Sequence, residues 1–255
     1  MPRLEAFAVF NTGIRLEEGR GLYMEKTVVI HQPDFLPYIG FFHRMLSVDL
    51  WVVLDDAQFI HKGSKGWHNR DKIKTTYGEK LITVPIKRCP VGMPINEVLL
   101  SGHGNWREDH INLMRENYRK ADHFNEVFPL IERLYSFECE KMVDFNMSSI
   151  RMLMELFNIS VPQINASALG APGKSNERLV EILKKIGATV YLSGVGAKDY
   201  FKPEPFQGAG IKVIWHDFKH PVYKQLHGDF IPYLSSIDML LNIGIENSKK
   251  ILRRC

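Results

Sequence analysis

The chain has 255 residues, 45% of them hydrophobic and 24% charged, the balance of a globular protein built as one large or two small domains. Thirty-three Lys and Arg stand against 29 Asp and Glu, and the last seven residues supply the whole excess through Lys249, Lys250, Arg253 and Arg254. Outside that tail the chain is neutral, which argues against a dedicated nucleic-acid binder and leaves small acidic ligands open. Cys89, Cys139 and Cys255 form neither a disulfide framework nor a metal-ligand spacing, so a reducing, cytoplasmic compartment and no metal site are expected. No apolar run reaches the roughly eighteen residues of a membrane helix, so no integral membrane association is expected.

Residues 1–23 lack a basic start, a long apolar stretch and a small-residue cleavage site, so they are not a secretory signal. They read as a disordered extension or, because Met24 stands directly before the first strand, as a mis-assigned start. Residues 26–30 (KTVVI) form a β-branched run of the buried-strand type, followed by the loop His31-Gln32-Pro33-Asp34-Phe35-Leu36-Pro37. A helix follows over 38–46, with Ile39, Phe42 and Leu46 as its apolar spacing and Pro37 near its first turn. Residues 49–54 (DLWVVL) then read as a second buried strand. Strand, loop, helix and strand within about thirty residues make a βαβ unit with parallel strands.

Residues 57–69 turn polar, with His61, Lys62, Lys65 and His68, and suggest a mobile loop over the site. Residues 70–74 and 80–86 flank Tyr77-Gly78 as a hairpin, and 98–100 suggest a further strand. Helical spacing runs over 105–120, 122–135 and 138–157, a helical middle region within an α/β chain. A helix over 174–186, with Ser175 as its cap, leads through Gly187 into a strand at 189–192. Residues 211–215 form another strand, and 233–241 a helix before the basic tail at 245–255. The expected fold is a mostly parallel, Rossmann-like sheet with that helical insertion.

Open α/β sheets bind ligands at the carboxyl ends of their strands, so the first loop is the first place to look for chemistry. His31 offers an acid, a base or a hydrogen-bond donor, Gln32 could orient a substrate, and the start of the following helix could take a phosphate or carboxylate; the alternative is a stiff turn with a core histidine. Asp55 and Asp56 end the second strand, and because neighbouring strand residues face opposite ways, one of them should enter the crevice. Either could instead be a turn-forming Asp. Trp67, His68, Asn69 and Arg70 bring an aromatic plate, a titratable ring, an amide and a guanidinium together, suited to a sugar or phosphate, unless Trp67 packs a core edge and Arg70 makes a structural salt bridge. Ser193, Gly194 and Gly196, with Tyr200 behind them, follow a strand and permit close backbone approach to an anion, but form neither a Walker loop nor a dinucleotide fingerprint. Ser235, Asp238 and Asn242 share a helix face and read as packing or capping groups.

An ordered set of motifs runs through the chain: His31-Gln32-Pro33, Pro37-x-x-Gly40-Phe41-Phe42, Leu54-Asp55-Asp56-x-Gln58-Phe59, Trp67-x-Asn69-Arg70, Val84-Pro85, Trp106 to His110 and Tyr118, Tyr191-x-Ser193-Gly194, Tyr200, and Leu234-Ser235-x-x-Asp238 to Asn242-x-Gly244. In this order they resemble the WbqC-like protein family over about 26–244, and His68 departs from the amide-type residue expected at its place. The resemblance implies a role in surface-polysaccharide synthesis of the O-antigen type, with an acyl or aminoacyl group moved onto a nucleotide-activated amino sugar. The expected catalytic residues, taken from the groups gathered at the carboxyl edge of the sheet, are His31 with Asp55 or Asp56, and Gln32, Trp67, Asn69, Arg70, Ser193, Gly194 and Tyr200 are expected to bind substrate. The layout of the first βαβ unit is also similar to that of nucleotidylyl transferases, but the paired-histidine signature is not reproduced, since His43 lies three residues beyond Gly40. Activation of an acid by ATP and a thioester acyl donor therefore remain alternatives. The rival reading is a non-catalytic sugar-nucleotide-binding or scaffold protein of a biosynthetic complex.

Overall fold

The computed structural model describes residues 25–61 and 66–255. The expectation for residues 1–23, and any contribution of Lys62 and Lys65, lie outside the described residues. Five parallel strands form the main sheet: β1 (Thr27–His31), β2 (Leu50–Val53), β5 (Gln163–Asn165), β6 (Val190–Gly194) and β7 (Lys212–His216). Their order across the sheet is β5-β2-β1-β6-β7, so the chain winds outward from β1 in one direction and then returns to build the other half. The expected α/β class and Rossmann-like arrangement are both present.

β1 is the central strand, and its β-branched side chains divide between two cores. Val28 and Ile30, with Val52 of β2, pack against α5 (Ala166–Leu169), α6 (Ser175–Lys185) and α7 (Pro203–Gly208). Val29, with Trp51 and Val53, packs on the other face against α1 (Ile39–Met45), α4 (Met142–Leu156) and α8 (Ser236–Leu252). A sheet covered on both faces explains why these strands read as continuous apolar runs rather than alternating ones. Each fully buried Val or Ile contributes about 1.5–3 kcal/mol relative to exposure, so β1 alone is a large share of the sheet's cohesion.

The predicted hairpin is β3 (Arg70–Thr75) and β4 (Gly78–Thr83), a separate antiparallel pair. It packs with α2 (Trp106–Tyr118), α3 (Phe124–Tyr135), α4 and α8, so the helical middle region extends one face of the sheet. Residues 98–100 form no strand; Leu99 and Leu100 make single bridges to Lys141 and Ile86. The helix expected from 233 begins at Ser236, because Tyr233 sits at φ 58° and Ser235 is extended. It continues through the basic segment, where Ser248 and Leu252 are buried and the Arg253 guanidinium bonds the carbonyls of Phe157 and Asn158.

Asp238, as expected, is a packing group. Its buried carboxylate accepts hydrogen bonds from the hydroxyls of Tyr118 and Tyr223 and the amide of Gln225, each at 2.8 Å, which ties α2 and the 223–225 segment to α8. Gly244 interrupts α8 at φ 79°, ψ 169°, and a Cβ there would stand 2.4 Å from Nδ1 of His123. Only glycine adopts that backbone readily. Gly244→Ala is therefore expected to lower stability by about 1–3 kcal/mol, read as an earlier urea midpoint at unchanged slope.

Candidate functional site

The carboxyl ends of β1, β2, β6 and β7 open onto a crevice of about 850 Å³. It lies over the switch point between β1 and β6, where the direction of winding reverses and the loops on either side diverge. His31, Gln32, Asp56, Trp67, Ser193, Gly194 and Tyr200 all line it, so most of the residues singled out from sequence converge.

The loop after β1 is held from several directions. The hydroxyls of Ser235 and Ser236 donate to the carbonyls of Leu36 and Pro37 at 2.7 and 2.6 Å, supporting Leu36 in a left-handed conformation at φ 42°. Asn146 of α4 donates from Nδ2 to the carbonyls of Pro33 and His68 at 2.8 and 2.6 Å. The amide of Phe35 donates to the carbonyl of Trp67 at 3.0 Å, so the two loops carrying His31 and Trp67 are stitched to each other and to the helical layer. α1 has only seven residues, and Tyr38 at its start places its ring against the crevice. The longer helix whose N-terminus meets the crevice is α6, through Lys174, Ser175 and Asn176. Ser175 is its first helical residue, at φ 50°, and is not the expected cap; no side chain caps the helix, whose N-cap position is Lys174.

His31 ends β1 with Nδ1 2.8 Å from the carbonyl of Gln32. That oxygen can only accept, so Nδ1 carries the proton and the lone pair is on Nε2. Burial, reinforced by the positive charge of Arg44, lowers its pKa to about 4. At neutral pH the ring is an uncharged base. Asp34, 3.8 Å from the same nitrogen, pulls weakly the other way. Asp34 also faces Nδ1 of His68 at 3.6 Å, beyond hydrogen-bond reach; His68 is fully buried beneath the crevice wall and both ring nitrogens lack a hydrogen-bond partner.

The two adjacent aspartates part ways, but they follow β2 in a turn rather than ending the strand, so their partners and not strand alternation separate them. Asp55 turns from the crevice and is fully engaged by the amide and hydroxyl of Ser167, at 3.0 and 2.6 Å, and by Asn96 at 3.2 Å. It ties β2 to the start of α5. Asp56 faces the crevice, paired through Oδ2 with Arg178 of α6, while its buried Oδ1 lacks a hydrogen-bond partner. Asn69 and Arg70 do not line the crevice. Asn69 donates to the carbonyl of Val84 at 3.0 Å at the base of the hairpin, and Nε of Arg70 donates to the carbonyl of Gly66 at 2.9 Å.

Sequence reasoning passed over the cation that does enter the crevice. Arg44, in the last turn of α1, is 8% exposed and lines the cavity, with Nε buried and unpartnered. Its spacing of three from Phe41 puts it on a core-facing stripe, and a charged residue on such a stripe was the available signal. His216 and His43 lie beside it. His43 Nε2 is 3.1 Å from the Cys255 oxygen and its Nδ1 2.7 Å from His216 Nε2, so neutral His43 donates to Cys255 and accepts from His216. Burial and then Arg44 lower His216 to about 4. Tyr200 and Tyr233, more than half exposed, stand at the rim. A second cavity of about 590 Å³, around Trp106, Arg107 and Glu138, contains none of the residues singled out for chemistry.

Among the described residues no group of three or more His, Cys, Asp or Glu is placed to hold a metal ion. No helix among them is long and apolar enough to cross a membrane. The class defined by this arrangement is an α/β protein with a polar crevice at a parallel-sheet switch point. The family model of the WbqC-like protein family matches residues 32–250, and the chain belongs to that family. It is 31% identical over 233 residues to the uncharacterized protein Rv1507c of Mycobacterium tuberculosis (strain ATCC 25618 / H37Rv), covering 90% of this chain and 99% of that one. No solved structure matches.

The depressed histidines have a consequence for stability. His31, His110 and His216 sit near 4 when folded, against an ordinary 6.5, so between those values the unfolded chain binds more protons than the folded one. Their contribution is fully present above about pH 6.5 and is lost as the pH falls toward 4. Each ring is expected to remove about 2 kcal/mol between pH 7.5 and 5. His110→Phe, at a buried ring outside the crevice lining, should shrink the measured drop in urea stability by about that amount; an unchanged drop would mean that His110 titrates normally in the folded protein.

Proposed function

We propose that this protein is an amide-forming transferase or ligase, cytoplasmic, that places an acyl or aminoacyl group on the amine of a nucleotide-activated amino sugar for surface-polysaccharide synthesis of the O-antigen type. The observation that carries the reading is His31, an uncharged imidazole at the end of the central strand, facing a crevice that also presents the buried cation Arg44. The resemblance to the WbqC-like family supplies the substrate class. In the step itself, the sugar amine attacks the acyl carbonyl, a C–N bond forms, and the bond to a thiolate or adenylate leaving group breaks. The nitrogen must lose a proton as it attacks, and Nε2 of His31 takes it. Asp34 steadies the imidazolium that results, being close enough to act through space. Of the two aspartates, Asp56 remains with the substrate, and Asp55 becomes a structural group. Trp67, Tyr200 and Tyr233 offer aromatic faces for the sugar or base.

Purified protein incubated with nucleotide amino sugars, with either an acyl thioester or an amino acid and ATP, should yield the amide product by mass spectrometry. His31→Gln and His31→Ala are each expected to reduce turnover by about 10²–10⁴-fold with the fold retained. Binding without any product favours the scaffold alternative, and wild-type turnover in a folded His31→Ala protein removes His31 from the chemistry. Asp55→Asn should act on stability and leave kcat of the folded fraction nearly unchanged, because its carboxylate is spent on Ser167 and Asn96.

A further inference from the structure

Arg44 is buried to 8% exposure with no hydrogen-bond partner at Nε, and it forms no ion pair with a described carboxylate. The acidic groups nearest in the crevice are otherwise placed. Asp56 is taken by Arg178, Asp34 stands between His31 and His68, and Asp217 is exposed on the rim, where water screens it. Burying a guanidinium without a partner is strongly unfavourable, and the surroundings sharpen the imbalance. His31, His43 and His216 all feel Arg44 as a charge that disfavours their own protonation. The chain has built a positive spot at the switch point and left its counter-charge to come from outside.

We propose that Arg44 anchors a phosphate subsite on the floor of the crevice, and that its occupant is the diphosphate of a nucleotide conjugate. This rests on the reading of the crevice as a nucleotide-sugar site and names the group that holds the diphosphate, a task the sequence had given to Arg70. The room for it is visible at Gly194. A Cβ at that position would stand 3.4 Å from one terminal nitrogen of Arg44, so glycine lets the guanidinium lie against the end of β6. Ser193 and Gly194 on one side and Lys174 and Ser175 on the other complete the same cavity. The first-turn amides of α6, eleven residues long and without a side-chain cap, add donors at its entrance. A carboxylate would be satisfied by the fork of one guanidinium, whereas this cavity of about 850 Å³ offers donors from a cation, a helix start and hydroxyls, as a diphosphate requires.

The test uses the full chain and inorganic pyrophosphate as the probe, with UDP as a nucleotide arm and acetate as a carboxylate arm, by calorimetry and by thermal melting. Wild type should bind pyrophosphate and UDP, melt higher in their presence, and ignore acetate at equal concentration. Arg44→Met should weaken pyrophosphate at least tenfold, yet melt at or above wild type without ligand, since an apolar chain of similar length replaces an unpaired charge. Arg44→Lys should retain part of the affinity and guards against a misfolded Met variant. Arg119→Met, at an exposed site on the C-terminal end of α2, should bind as wild type does. Pyrophosphate binding within twofold of wild type in a folded Arg44→Met protein overturns the subsite, as does failure of wild type to bind pyrophosphate or equal binding of acetate. Pyrophosphate binding through Arg44 without any amide product refutes the transferase reading alone; product formed with Arg44 irrelevant to pyrophosphate refutes the subsite alone.

Discussion

A parallel ladder allows no strand to turn back within the sheet, so every strand delivers its carboxyl end to the same edge. The rest of this molecule follows from that constraint. With β1 at the centre and the chain winding away from it in both directions, the loops after β1 and β6 separate over the switch point, and the crevice is the gap between them. His31, Gly194 and His216 share the crevice because each is the last residue of its own strand, and Asp56 joins them three positions after the end of β2. The apolar cores above and below the sheet, each built on alternate residues of β1, hold those strand ends in register.

Much of this was legible in the chain itself, where the cause is local. The runs KTVVI and DLWVVL announce strands buried on both faces, Tyr77-Gly78 announces a hairpin, and the apolar spacing of 142–156 announces α4. Strand parity was the wrong reason to separate Asp55 from Asp56, since both lie in the turn after β2; the division is made by Ser167, 112 positions away, whose amide and hydroxyl claim Asp55. Arg70 was attractive because it follows Trp67 in a polar cluster, but the hairpin that begins at Arg70 carries it out of the crevice lining, and its Nε serves the carbonyl of Gly66. Arg44 was hidden for the opposite reason. It sits in a helix whose neighbours are Phe41, Phe42 and Met45, where a basic residue reads as an incidental surface group.

Electrostatics couples the two groups on which the proposed chemistry depends. Burial is the larger cause of the low basicity of His31, and Arg44 is the next. A polyanion seated on Arg44 removes the second cause and leaves the first, so the imidazole becomes a stronger base when the site is loaded than when it is empty. His216 responds in the same direction, since Arg44 is likewise second among its causes.

Asn146 gives the architecture a further meaning. One amide group on α4 bonds the loop that follows β1 and the backbone beneath Trp67 at the same time. The helical middle region, none of whose described residues lines the crevice, is therefore its mounting bracket. A version without α4 would keep every strand end and lose the hydrogen bonds that align the two loops. The sheet and its helical insertion are joined through Asn146, so a chimera that takes β1 and its loop from this chain has to carry α4 along.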